Sequence, residues 1–152
     1  MSDESSRLDR ELIELLNELR VMLPGVEVLF AFLLTLPFTS QFPEATAIQR
    51  GLYFTAFMSA AIAVVLLIGP TAYHRLRFRE ADKERMLQVA NRLAISATVF
   101  LAVAVTSVVF MVTDVLFGST AAAAAAGAVG GLVVWVWYGL PLVRRVQDGR
   151  KR

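Results

Sequence analysis

Chemistry in this chain would have to start from Glu27, Asp114 or His74, the ionisable side chains placed inside or at the edges of its long apolar stretches. Charge is expensive in hydrocarbon, so such groups are retained for a purpose. Glu27 lies one turn beyond Pro24, on the order of 6 Å along a helix. Two roles suit it: an ionised carboxylate reaching back towards Arg20 or the central arginines, or a buried protonatable group coupling proton or cation movement. Asp114 precedes a tight turn, where its carboxylate can face the N-terminal amides of the next helix. His74 has no second histidine to complete a metal site, and its position suits an interfacial anchor. The absence of cysteine removes thiolate nucleophiles and thiolate metal sites. No nucleophile elbow, phosphate-binding loop, His-Glu-x-x-His pattern or carboxylate pair occurs, so no catalytic residue, cofactor or metal is assigned and the chain reads as a non-enzyme.

The elements that position these groups follow from charge distribution. Of 152 residues, 57% are hydrophobic, too many for a soluble fold of this size. Residues 21–43 carry only Glu27, and residues 51–73, 93–113 and 115–143 carry no charge. Each stretch is long enough to cross roughly 30 Å of hydrocarbon as a helix. Fourteen of the fifteen Lys and Arg residues fall before the first span, between the second and third, or after the fourth; Arg50 alone lies opposite. The positive-inside bias puts both termini and the central connector in the cytoplasm. The net charge of +2 and the placement of the basic groups argue against nucleic-acid binding. A cleaved leader is the rival reading of the first span, but the preceding segment is acidic and helical rather than short and basic.

The sequence predicts an all-α, four-span transmembrane helical bundle with an N-terminal amphipathic cytoplasmic helix over 1–23. The membrane domain covers 24–143, with spans near 24–42, 48–73, 92–117 and 120–143, and a basic tail follows over 144–152. Leu8, Leu12, Leu15, Leu16, Leu19, Met22 and Leu23 recur at helical spacing, and Pro24-Gly25 is expected to close that helix. Its polar face is slightly acidic, which favours docking against protein over adsorption to anionic lipid. Asp82 is placed to cap a helix running into the third span, and the charged connector can attract acidic headgroups. Gly118 is expected to break the chain between the third and fourth spans, with Ser119 or Thr120 capping the next helix. The fourth span contains Gly127-xxx-Gly131 and the small pairs Ala123/Gly127 and Ala126/Gly130, a flat face for helix packing within the chain or between copies. Trp135, Trp137 and Tyr138 precede Pro141 and Arg144, as interfacial anchors should.

The segment from Glu18 through Pro24, Gly25, Glu27 and Pro37 to Phe38, with Pro70-Thr71-Ala72-Tyr73-His74-Arg75-Leu76-Arg77-Phe78-Arg79 and Ala90-Asn91-Arg92-Leu93-Ala94, resembles a family of small bacterial four-helix membrane proteins of unknown function. The resemblance covers about residues 11–118. Some members are called sodium:proton antiporters, yet this sequence lacks a mid-bilayer acidic pair. The chain is also similar to the small multidrug-resistance transporters in having four spans and a glutamate in the first, where Glu27 corresponds by kind alone.

These features point to a multi-pass protein of the bacterial inner membrane that works by association, as an accessory subunit or homo-oligomer. Its partners would be the lipid bilayer and membrane helices. The alternative is a small proton- or cation-coupled transporter using Glu27, its solute undefined.

Overall fold

The computed structural model describes residues 2–76, 83–140 and 143. Among those residues every regular element is helical, and four helices are long and apolar enough to cross a membrane. Helix α1 is Ser2–Thr35, α2 is Ala47–Leu76, α3 is Lys83–Phe117 and α4 is Ser119–Val134. Two short 3-10 turns, Leu36–Phe38 and Phe42–Glu44, join α1 to α2, and a π-helical turn, Trp135–Gly139, follows α4.

The break expected at Pro24-Gly25 does not occur, because α1 runs through Pro24 as one helix of 34 residues. A proline inside a helix removes one backbone bond and crowds the preceding turn, a cost of roughly 3 kcal/mol when nothing offsets it. Here the helical phase carries Leu19, Val26 and Leu33, seven residues apart, onto one buried face on both sides of Pro24. Burial along that face outweighs the local defect. The N-terminal leucine stripe therefore belongs to the same helix as the first long apolar stretch, and Leu15, Leu16, Met22 and Leu23 pack against the core cluster that contains Leu19.

The chain divides into two compact units, each built from pieces of more than one helix. The first comprises residues 1–44 and 57–101. Its core joins Leu19 and Val26 of α1 to Ala63 and Leu67 of α2 and Ala97 of α3. The Phe30 and Phe57 rings stack with centroids 5.3 Å apart, which sets those two positions at one level. Gly69 lies against Leu93, whose Cδ1 would be 3.1 Å from an added Cβ, so the absent side chain allows a close approach there.

The second unit comprises residues 45–56 and 102–152. Its α3 segment buries Ala104, Ser107 and Met111, and its α4 segment buries Ala122 and Ala126. Along α3 as a whole, Ala90, Ala97, Ala104 and Met111 are buried at seven-residue intervals. A seven-residue repeat, small at its three alanines, is the pattern of helices packed closely at a shallow crossing angle.

Gly118 alone separates α3 from α4. It donates its N–H to the Asp114 carbonyl and accepts the Ala122 N–H at its own carbonyl, ending one helix and starting the next. Its φ of 85° and ψ of 167° lie where glycine alone sits without strain. No side chain caps α4, so the expected Ser119 or Thr120 cap is replaced by this backbone junction. His74 falls within α2, while its side chain, the Asp82 cap, Pro141 and the tail over 144–152 lie outside the described residues.

Candidate functional site

Three places in the molecule hold residues that could bind or couple something. The first is a groove in the first unit, about 340 Å³ in volume, between α1 and α2. Leu16, Leu19 and Leu23 form one wall and Leu67 and Ile68 the other, with Arg20 and Thr71 as its polar members. Leu19 and Leu67 are buried at its floor, whereas Ile68 is 45% exposed and Arg20 is exposed. The i, i+4, i+7 spacing of Leu16, Arg20 and Leu23 places an arginine in the middle of an apolar stripe. Among the described residues Arg20 has neither an ion pair nor a hydrogen bond.

Glu27 continues that stripe one turn further. Val26 takes the core position, at 1% exposure, and the next residue along a helix is turned about 100° away from it. Glu27 is consequently exposed, beside Val28 at 71%. Of the two partners anticipated from sequence, Arg20 is not paired with Glu27, the two lying seven residues, or about 10 Å, apart along the axis, and of the central arginines Arg77, Arg79 and the side chain of Arg75 lie outside the described residues; among those described Glu27 has no ion pair. Nor is its carboxylate enclosed by the chain. An Arg-carboxylate contact that does form, Arg7 Nε to Glu11 Oε1 at 2.8 Å, is exposed and belongs to the helix surface.

The second place is the junction of the α2 N-terminus with the α3 C-terminus, within the second unit. The Thr46 N–H donates to Gln49 Oε1 at 3.0 Å, and the Gln49 N–H donates to Thr46 Oγ1 at 3.2 Å. This reciprocal pair satisfies two amides that the start of α2 would leave open. It also fixes the side-chain amide, so that Gln49 Nε2 points away and donates to Asp114 Oδ2 at 2.8 Å in a half-buried contact. The expected engagement of Asp114 with the α4 amides is thereby corrected: the carboxylate is held by α2. The reason is local. Gly118 turns the chain in a single residue, no side chain caps α4, and the Gln49 amide reaches Asp114 from the start of α2.

The third place is α4. Gly130 faces Thr106 of α3, whose Cγ2 would lie 3.4 Å from an added Cβ, and Ala126 is buried beside it. Gly127 and Gly131 have nothing within 4 Å of an added Cβ. Of the small pairs in the sequence, Ala126/Gly130 therefore packs within the chain and Gly127/Gly131 faces outward. The π-helical turn then places Trp135 at 57% exposure and Trp137 at 38%, with Tyr138 half-buried. The Trp135 ring lies over Gly139, with Cε3 3.1 Å from where a Cβ would stand, so a side chain there would push the ring by a few tenths of an ångström.

Sequence reasoning missed the Arg20 groove and the Gln49–Asp114 bond. Thr46-x-x-Gln49 is a capping-box pattern and was open to recognition; the partnership across 65 positions had no signal in a single sequence. Among the described residues no group of three or more His, Asp or Glu is placed to hold a metal ion.

Residues 2–141 match the model of a family of unknown function, DUF6328, and the chain belongs to that family. No curated protein and no solved structure matches the chain.

Proposed function

We propose that this DUF6328 protein is a multi-pass membrane protein that works by association, as a homo-oligomer or as an accessory subunit, through the outward face of α4. The carrying observation is the open space in front of Gly127 and Gly131. In lipid, apolar burial gives no drive to helix pairing, and close backbone approach over small residues does. Ala123, Ala124 and Ala128 are exposed around the two glycines, so the face is flat for about two and a half turns. A helix that used its small residues only within the chain would place both glycine pairs inward.

The orientation that supports this reading keeps both termini and the 77–82 connector in the cytoplasm of a bacterial inner membrane, on the charge asymmetry of fourteen to one. Single cysteines at Ser5, Ala81 and Gly149 are expected to resist an impermeant thiol reagent in intact cells, and one at Thr46 to react. Labelling at Ala81 from outside would reverse the topology.

The association itself is tested by disulfide trapping, which the cysteine-free background makes clean. Gly127→Cys is expected to form an inter-chain disulfide under mild oxidation in native membranes, and Gly130→Cys is not. A homodimer band from Gly127→Cys supports self-association, and a cross-linked band with a second protein supports the accessory role. Equal trapping at both positions would remove the α4 face from the argument. Glu27 is exposed on α1 rather than enclosed by the described residues, which supports association over the carrier alternative.

A further inference from the structure

The groove between α1 and α2 has the shape and chemistry of a half-site for a lipid: a mainly apolar trough with one cation at its rim. Its volume of about 340 Å³ is within the range of small-molecule sites, which are apolar with few polar groups. Its depth in a bilayer follows from helix rise. Arg50, at the opposite end of α2, is twenty residues from Pro70, which is about 30 Å and the thickness of the hydrocarbon. Pro70 is adjacent to Thr71, so the groove's polar end lies at the inner boundary. The stacked Phe30 and Phe57 rings set the two helices level, and ten residues further on, about 15 Å, come Arg20 on α1 and Leu67 on α2. Arg20 thus stands just inside the boundary, and its flexible stem reaches the headgroup layer while its methylenes stay among leucines.

We infer that the groove binds one anionic phospholipid, with the Arg20 guanidinium on the phosphate and an acyl chain against Leu23, Leu67 and Ile68. Charge complementarity selects this occupant. Among the described residues Arg20 is the one charged residue lining the groove, and it has no counter-ion there. A partner helix of apolar side chains would leave that cation uncompensated, whereas a phosphodiester accepts a two-pronged bond from a guanidinium. Thr71, exposed at the same rim, offers a hydroxyl to a headgroup oxygen. The inference rests on the membrane-spanning reading but not on the α4 face.

The test uses the full chain purified from membranes in mild detergent, with phosphatidylglycerol and phosphatidylcholine of equal chain length supplied at equal concentration. Retained lipid is counted by native mass spectrometry. Wild type is expected to keep one phosphatidylglycerol per chain with a preference on the order of tenfold, the worth of one charge-assisted contact. Arg20→Gln should abolish the preference, and Arg20→Lys should keep part of it because the charge remains. Ile68→Trp, which fills the trough, should lower retention of both lipids. Arg10→Gln, away from the groove, should change nothing. Equal phosphatidylglycerol preference in wild type and Arg20→Gln overturns the site, as does undiminished retention in Ile68→Trp. Resistance of the protein to alkaline extraction from membranes is measured on the same preparation. Extraction at alkaline pH would mean that the membrane reading has failed, whereas an embedded protein without lipid preference means that only the groove assignment has.

Discussion

Gly127 and Gly130 stand three residues apart on one helix, and the chain treats them oppositely. Gly130 meets Thr106 at contact distance, while Gly127 looks onto open space. Composition alone gives both the same meaning, since each belongs to a small-xxx-small pair. What separates them is phase: three residues turn a helix by about 300°, enough to move a position off the packed stripe. The comparison teaches that a small-residue motif announces a close approach without saying which helix approaches. The inward pair holds the chain together, and the outward pair is left for another molecule in our proposal.

Leucine substitutions at the two glycines break this comparison most directly. Gly130→Leu forces branched volume against Thr106 and is expected to lower unfolding stability by about 1–3 kcal/mol, read as a reduced melting temperature of the detergent-solubilised protein. Gly127→Leu should leave that temperature close to wild type and shift the complex to smaller mass in native lipid. Loss of stability at Gly127 with none at Gly130 would reverse the assignment of faces. Alanine sharpens the contrast further. Gly127→Ala should raise stability by up to roughly 1 kcal/mol through helix propensity, with no contact disturbed. Gly130→Ala must also accommodate a methyl at 3.4 Å from Thr106 and should gain less.

A second contrast, of intermediate size, sets the junction of α2 and α3 against the groove. At the junction every polar group of Thr46, Gln49 and Asp114 named above has a partner, whereas Arg20 in the groove has none among the described residues. The bonded groups at the junction hold the structure, whereas the exposed Arg20 guanidinium is free to meet a ligand. Gln49→Leu should therefore cost about 1 kcal/mol by leaving a half-buried carboxylate without its donor, and Asp114→Leu should cost a similar amount. A double-mutant cycle between them is expected to show coupling of about 1 kcal/mol, and additive effects would mean that the 2.8 Å contact contributes nothing.

How much of this was legible in sequence depends on what each feature rests on. The four apolar helices come from run length and hydropathy, which are local properties, and four helices long and apolar enough to cross a membrane are present among the described residues. The one-residue junction at Gly118 was half legible: glycine marked the turn, but the absence of a Ser119 or Thr120 cap depends on backbone angles that no side chain reveals. Pro24 misled because propensity is local and the opposing burial of Leu19, Val26 and Leu33 is not. The Arg20 groove was hidden for the same reason, being made by two helices whose register cannot be read from either.

The smallest expected effect is at Glu27, and it separates the two functional readings. An exposed carboxylate with no ion pair among the described residues has little folded-state interaction to lose. Glu27→Gln, which breaks no ion pair among the described residues and removes a charge from an apolar stretch, is therefore expected to leave the melting temperature at or slightly above that of wild type. This differs from what an Arg20-paired glutamate would show, since removing one partner strands the other. A coupling carboxylate makes a different demand, for it must gain and lose a proton during each cycle whatever its effect on stability. The decisive measurement is proton flux into sealed vesicles carrying the reconstituted protein, under a sodium or potassium gradient or with a cationic dye, followed by an internal pH reporter. Association without transport expects no flux in wild type and none in Glu27→Gln. Flux in wild type that disappears in Glu27→Gln at unchanged stability would promote the carrier reading, because a position that contributes nothing to the fold would then control proton movement.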